Sequence, residues 1–264
     1  MSHHPLSGPL DIQVGRIHSK SSICRWLAHQ SEALRSWDVK AGYDAQLRCA
    51  PATKNSRKWC PMTRQTEEVR IERHLVIVFD ICSSTIILED LKQTDNLKCW
   101  RDLLIGLKNF LRSHESLPLL QIYKFIGDGW ILLAPADTPR NDVLEFLKNL
   151  ASVFSMLFHK DINPNLQEQP RDVGITVGVD RGELIRLEMN EQIEYIGRPL
   201  NVASRLQGAT RELEGGRSNQ ALFARPTYNS LPGGRPDRLG KVVRLPLKNL
   251  RNNLKSDFIR YPLT

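Results

Sequence analysis

A chain of 264 residues, 41% hydrophobic and 25% charged, has room for one ordinary domain with an appendage or for two small domains. No apolar run reaches the roughly 20 residues that cross a bilayer, and the N-terminus lacks the apolar core of a signal peptide, so the expectation is a cytoplasmic protein with no membrane partner. The net charge of +8 raises nucleic acid as a partner, but the basic residues are dispersed and aromatics do not alternate with them as on a base-stacking surface. A polyanionic small substrate accounts for the charge equally well, and no nucleic acid is expected.

Residues 1–61 carry nine Lys/Arg against four Asp/Glu and hold three of the five Trp, three of the five Cys and four of the seven His. Apart from a possible short helix around Ile23–Ser36 they show no sustained period. The expected division is therefore an extension over 1–69, poorly ordered or non-native (Met62 is a candidate start), and a functional domain over 70–264. Five cysteines (Cys24, Cys49, Cys60, Cys82 and Cys99) with no C-x-x-C pair argue against a disulfide framework or a zinc site.

From about residue 70 the pattern changes. Leu75–Asp80 reads as a buried strand, Ser84–Leu91 as a short helix, and Leu97–Ser113 as an amphipathic helix. Leu119–Phe125 and Trp130–Pro135 read as strands joined by the hairpin turn Ile126-Gly127-Asp128-Gly129. Pro139–His159 is a long helix with Thr138 or Asn141 as its cap. Val173–Val179 and Gly182–Glu188 read as a second hairpin turning at Asp180-Arg181-Gly182. A helix over Leu200–Thr210 and short strands at Ala221–Ala224, Val242–Leu245 and Phe258–Tyr261 complete the chain. This order predicts an α+β domain with a mostly antiparallel sheet, close to a split βαβ arrangement with an added tail.

Three features carry chemistry. Asp80 ends an apolar strand and is followed by the hydroxyl-rich turn Cys82-Ser83-Ser84-Thr85 at a helix start, which sets a carboxylate beside free backbone N–H groups. Asp128 sits at a hairpin tip that a ferredoxin-like sheet brings to the same edge. Two carboxylates there repel unless cations lie between them, and hard oxygen ligands suit Mg²⁺ or Mn²⁺. Asn201 and Arg205, four apart in a predicted helix, share a face and can orient a ribose oxygen and hold phosphate. Singly, these features read as a helix cap, a turn and a solvated helix face; their order along the chain is what favours a site.

In that order LVIVFDICSSTIILE, YKFIGDGWILL, VGVDRGELI and EYIGRPLNVASRLQ resemble the catalytic domain of the class III nucleotidyl cyclases, over roughly residues 73–261. The resemblance implies a ferredoxin-like α+β domain acting as a homodimer, with composite active sites and two divalent cations per site, converting a nucleoside triphosphate to a 3′,5′-cyclic nucleotide and pyrophosphate. By position it implies Asp80, Asp128 and the main-chain carbonyl of Ile81 as metal ligands. It implies Phe79, Cys82, Ser83, Ser84, Thr85, Lys124, Glu194 and Arg198 around the substrate. Asn201 would orient the ribose and Arg205 would stabilise the transition state, both across the subunit interface.

Lys124 matches the lysine of ATP cyclases, whereas Glu194 stands where those carry Asp or Thr and would crowd a purine. With Asp180-Arg181-Gly182 and Arg198-Pro199 replacing the usual residues, the chain resembles the bacterial pyrimidine cyclases of Pycsar antiphage defence. That implies cyclic UMP or cyclic CMP as a messenger read by a separate effector. The alternatives are an adenylate cyclase and a catalytically inactive nucleotide-binding module.

Overall fold

A computed structural model describes residues 69–113, 117, 119–189, 191–213, 218–233, 240–246 and 255–263. The expected extension over 1–69, save Val69, and its possible helix lie outside the described residues. Strand β1 (Arg70–Ile81) is followed by α1 (Ser84–Gln93), α2 (Leu97–Ser113), β2 (Gln121–Phe125), β3 (Gly129–Pro135) and α3 (Arg140–Leu157). After a π turn come β4 (Ile175–Met189), β5 (Gln192–Ile196), α4 (Arg198–Ala209), β6 (Gln220–Ala224), α5 (Arg225–Ser230), β7 (Lys241–Pro246) and β8 (Lys255–Pro262).

The sheet runs β2-β3-β1-β4-β6-β8-β7, with β5 paired to β4 alone. Its first four strands are the ferredoxin-like arrangement, and β1 is central because its apolar run can be buried on both faces. Alternation along β1 divides the core. Leu75, Ile77, Phe79 and Ile81 pack with α2 and α3 residues such as Leu103, Leu107, Phe146 and Phe154. Asp80 and Val78 point the other way, under α4.

The expected second hairpin is wrong. Val173–Glu188 does not turn at Asp180-Arg181-Gly182; β4 is one strand over Ile175–Met189 and pairs with the whole of β1. Asp180 lies opposite Val76 and Gly182 opposite His74. Asp-Arg-Gly has turn composition, but Asp180 is buried and takes a hydrogen bond from the Thr227 hydroxyl (2.6 Å), and Gly182 makes room for Pro199. Neither constraint is local, so composition misled. The hairpin partner of β4 is instead β5, with Ile185 opposite Ile196.

Smaller corrections follow the same logic. The long helix begins at Arg140 after Pro139, and the Thr138 hydroxyl donates to the Pro135 carbonyl (2.7 Å) rather than capping it. Helix α5 was not foreseen, because two turns are too short to show a period.

The helix α4 rests so closely on β4 that a β-carbon at Gly178 would strike the Ala203 carbonyl and the Gln207 amide. Gly178→Ala is therefore expected to lower stability by about 3 kcal/mol, because both obstacles are backbone and neither can rotate away. Chemical denaturation checks this.

Candidate functional site

Asp80 lies on the last turn of the β1 ladder, opposite Gly129 of β3 and Thr176 of β4. Asp128 lies in the β2–β3 connection, so the antiparallel β1–β3 pairing alone brings the two carboxylates together. Both are buried, at 3% and 8% exposure. A β-carbon at Gly129 would strike the Phe79 carbonyl and would also lie 3.1 Å from Asp80 Oδ1, which accounts for the glycine beside Asp128.

Burial first, and then the charge of Asp128, push the Asp80 carboxyl up to about 8, against a guanidinium that lowers it. That guanidinium belongs to Arg211, whose Nη2 lies 3.2 Å from Asp80 Oδ2. The Gln207 amide reaches the same oxygen at 3.4 Å while donating to the Thr176 hydroxyl at 2.7 Å. Among the described residues Asp80 Oδ1 has no hydrogen-bond partner. The Ser84 hydroxyl donates to Asp128 Oδ2.

The turn after Asp80 is held from behind. The Cys82 N–H donates to the Gly174 carbonyl (2.9 Å), and Ser83, in a left-handed conformation (φ 57°), donates its hydroxyl to the Asp172 carbonyl (2.8 Å). Cys82 N–H is thus committed within the chain, which removes it from the expected set of free amides. The first intrahelical bond of α1 runs from Ile87 N–H to the Ser83 carbonyl, so the N–H groups of Ser84, Thr85 and Ile86 precede it and carry the positive end of the helix. A polyanion beside two acidic residues suits that end.

The resemblance noted in the sequence implies divalent cations at this place. Two buried carboxylates side by side are stable only when a proton is held between them or positive charge lies nearby, and a divalent cation can take the place of that proton. Among the described residues no group of three or more His, Cys, Asp or Glu is gathered as a metal site. Two carboxylates with the remaining positions left to phosphate oxygens and water is the ligand set that Mg²⁺ accepts. The residues fit such a cation.

Not every expected residue is placed to touch a ligand. The Phe79 side chain is fully buried and stacks on Trp130, with ring centroids 5.2 Å apart. The Ile81 side chain is in the core, so only its main chain can serve.

Lys124 and Glu194 do meet, with Nζ 2.9 Å from both carboxylate oxygens. They come from β2 and β5, which are not neighbouring strands in the sheet. The Tyr123 hydroxyl donates to Glu194 Oε2 (2.5 Å) and accepts from the Tyr195 N–H (2.9 Å). Burial works against the Glu194 charge, but the Tyr123 hydroxyl and the Lys124 ammonium together hold its pKa below the usual carboxylate value.

Asn201 and Arg205 are on α4, and neither makes a side-chain hydrogen bond to the described residues. The buried stripe of α4 is Val202, Ala203, Leu206, Gln207 and Ala209. Gln207 is two residues beyond Arg205, about 200° around the helix, so when Gln207 faces Asp80 of its own chain Arg205 faces away. Asn201 is exposed on that outward face. Arg198 is exposed at the helix start, where its charge lowers the pKa of Asp180 against the larger effect of burial.

Sequence reasoning missed Gln207 and Arg211. The signal for Gln207 was available, as a polar residue in phase with Ala203 on an otherwise apolar stripe. Arg211 follows the helix in the turn Thr210–Glu212 and had no such phase.

No family model matches this sequence, and no curated protein matches it significantly. Solved structures do resemble it. The guanylyl cyclase Cya2 superposes with a TM-score of 0.53 at 14% identity, over 74% of this chain and 92% of that one. The adenylyl cyclase CyaB from P. aeruginosa gives 0.54 at 16% identity, over 73% and 95%. A bacterial light-regulated adenylyl cyclase gives 0.51 at 15%, over 72% and 90%. The chain therefore has the α+β fold of class III cyclase catalytic domains. At these identities the likeness is one of fold.

Proposed function

We propose that this chain is a class III nucleotidyl cyclase. The observation that carries the reading is the meeting of Asp80 and Asp128, buried beside the N-terminus of α1, with one carboxylate oxygen left without a partner among the described residues. Divalent cations held by Asp80 and Asp128, with the Ile81 carbonyl, would lower the pKa of the ribose 3′-hydroxyl and offset the charge that develops at the α-phosphorus.

The chain's own groups do the rest. The amides of Ser84, Thr85 and Ile86 hold the triphosphate end-on at the α1 N-terminus. Asn201 orients the ribose so that its 3′-oxygen lies in line with the departing pyrophosphate, and Arg205 matches phosphate oxygens with its planar fork. Because these two face away from Asp80 of their own chain, the working unit is a homodimer in which each chain completes the other's site.

The Lys124–Glu194 pair reads the base. The favoured substrate is a pyrimidine nucleoside triphosphate, UTP before CTP, because Glu194 is longer than the residue that ATP cyclases carry there. The product would then be a cyclic pyrimidine nucleotide acting as a messenger in antiphage defence through a separate effector. Lys124 supports the second reading, an adenylate cyclase.

Incubation of the purified protein with each of the four nucleoside triphosphates and Mn²⁺ is expected to yield cyclic UMP or cyclic CMP, read by mass. Product from ATP alone removes the pyrimidine reading. No product from any of the four removes the enzyme.

A further inference from the structure

The two oxygens of Asp80 have different surroundings. Oδ2 is held by Arg211 at 3.2 Å and by Gln207 at 3.4 Å. Oδ1 is buried, lacks a partner among the described residues, and lies on the side of Gly129, the residue that follows Asp128. A carboxylate on a buried strand end can rotate about its Cα–Cβ and Cβ–Cγ bonds unless something fixes it. Here the Arg211 and Gln207 contacts both fall on Oδ2, and among the described residues Oδ1 is left unpartnered on the Gly129 side.

We infer that Arg211, supported by Gln207, is the positioning residue of the metal centre: it anchors Asp80 Oδ2 so that Oδ1 is presented to a divalent cation. The inference rests on the reading of Asp80 and Asp128 as metal ligands. Arg211 itself is held in place by its setting. It sits in the Thr210–Glu212 turn at the negative end of α4, where a cation is favoured. The Thr210 hydroxyl donates to the Gln207 carbonyl at 2.6 Å and closes the helix there. Gln207 is tied to Thr176, the cross-strand neighbour of Asp80, at 2.7 Å. One helix thus presents Arg205 outward and sets the metal ligand of its own chain through Gln207 and Arg211.

Carboxylates that ligate metals depend on such outer hydrogen bonds, whose removal weakens metal binding by about 10- to 100-fold. A repulsive effect of the guanidinium on the cation acts in the opposite direction, so the sign of the change decides between the two roles. The Arg211 side chain is 39% exposed, and its replacement leaves no cavity in the core.

The test is a titration of free Mn²⁺, followed by its electron paramagnetic resonance signal, against the full chain without nucleotide. Arg211→Met is expected to bind Mn²⁺ about 10- to 100-fold more weakly than the unaltered protein. Arg211→Lys should recover part of the loss, since it keeps the charge without the fork. The melting temperature of the metal-free variant reports a merely structural role, which would lower it while leaving Mn²⁺ affinity unchanged. Equal or tighter binding by Arg211→Met overturns the inference and leaves the metal reading standing. If the unaltered protein takes up no Mn²⁺, the metal reading fails, and this inference with it.

Discussion

Replacing Asp80 by asparagine is expected to abolish cyclic-nucleotide formation and, at the same time, to make the metal-free protein harder to melt. The first effect follows from its place in the site. Asp80 is one of two carboxylates available to a cation, and loss of one strong electrostatic stabiliser of a transition state costs about a thousandfold in rate. The second follows from the cost of the site itself. Two carboxylates buried at 3% and 8% exposure oppose each other, and Arg211 is the cation paired with Asp80. An amide at position 80 removes that repulsion and keeps a similar shape.

The same residue sets a pH dependence whose sign is fixed. In the fold the Asp80 carboxyl is raised from 3.8 to about 8, by burial first and by Asp128 second. Between those values the folded protein retains a proton that the unfolded chain has already lost, so stability falls as pH rises through the window. The proton belongs to the Asp80–Asp128 pair rather than to one oxygen. Calorimetry on metal-free protein should show the melting temperature of the unaltered chain falling from about pH 5 to about pH 8, and that of Asp80→Asn falling less steeply, since the buried Asp180, also raised, remains. Added Mn²⁺ should stabilise the unaltered chain most at the upper end, where it has no proton to displace. Parallel pH slopes for the two proteins would show that the carboxylates do not interact.

Why Asp80 and Asp128 were legible in the sequence, while Gln207 and Arg211 were not, comes down to the range of the interactions that place them. An apolar run ending in Asp80 is a strand by its own composition, and Ile126-Gly127-Asp128-Gly129 is a hairpin turn by its own composition. Each needs only local rules, and the one long-range step is the central position of β1. The contact of Arg211 with Asp80 spans 131 residues and depends on how far α4 is drawn down onto Gly178. The Asp180-Arg181-Gly182 error has the same origin in reverse. Residues that form turns when exposed form a strand here because Thr227 and Pro199 enclose them, from 47 and about 17 residues away. Lys124 and Glu194 meet although their strands are not neighbours in the sheet, a contact that no local sequence rule supplies.

The proposed dimeric site yields the other large expected effect, because it would turn two dead proteins into a live mixture. Asp80→Asn retains Asn201 and Arg205 but loses a proposed metal ligand; Arg205→Ala retains both carboxylates but loses the outward guanidinium. Each alone is expected to form no detectable product. In a heterodimer, one site combines the intact carboxylates of the Arg205→Ala chain with the intact Arg205 of the Asp80→Asn chain, and the other site carries both lesions. Random assortment of equal amounts makes half of the dimers mixed, so activity should return to about one quarter of that of the unaltered protein. The return should require exchange of subunits, appearing after co-expression or after dilution and reconcentration. The geometry behind this expectation lies on one helix: Gln207 faces Asp80 of its own chain, so Arg205, some 200° around the axis, is turned away from it and under the proposed function would serve Asp80 of a second copy. A mixture that stays inactive although mixed dimers are detected by native mass spectrometry would mean that Arg205 acts within its own chain, or on no nucleotide at all.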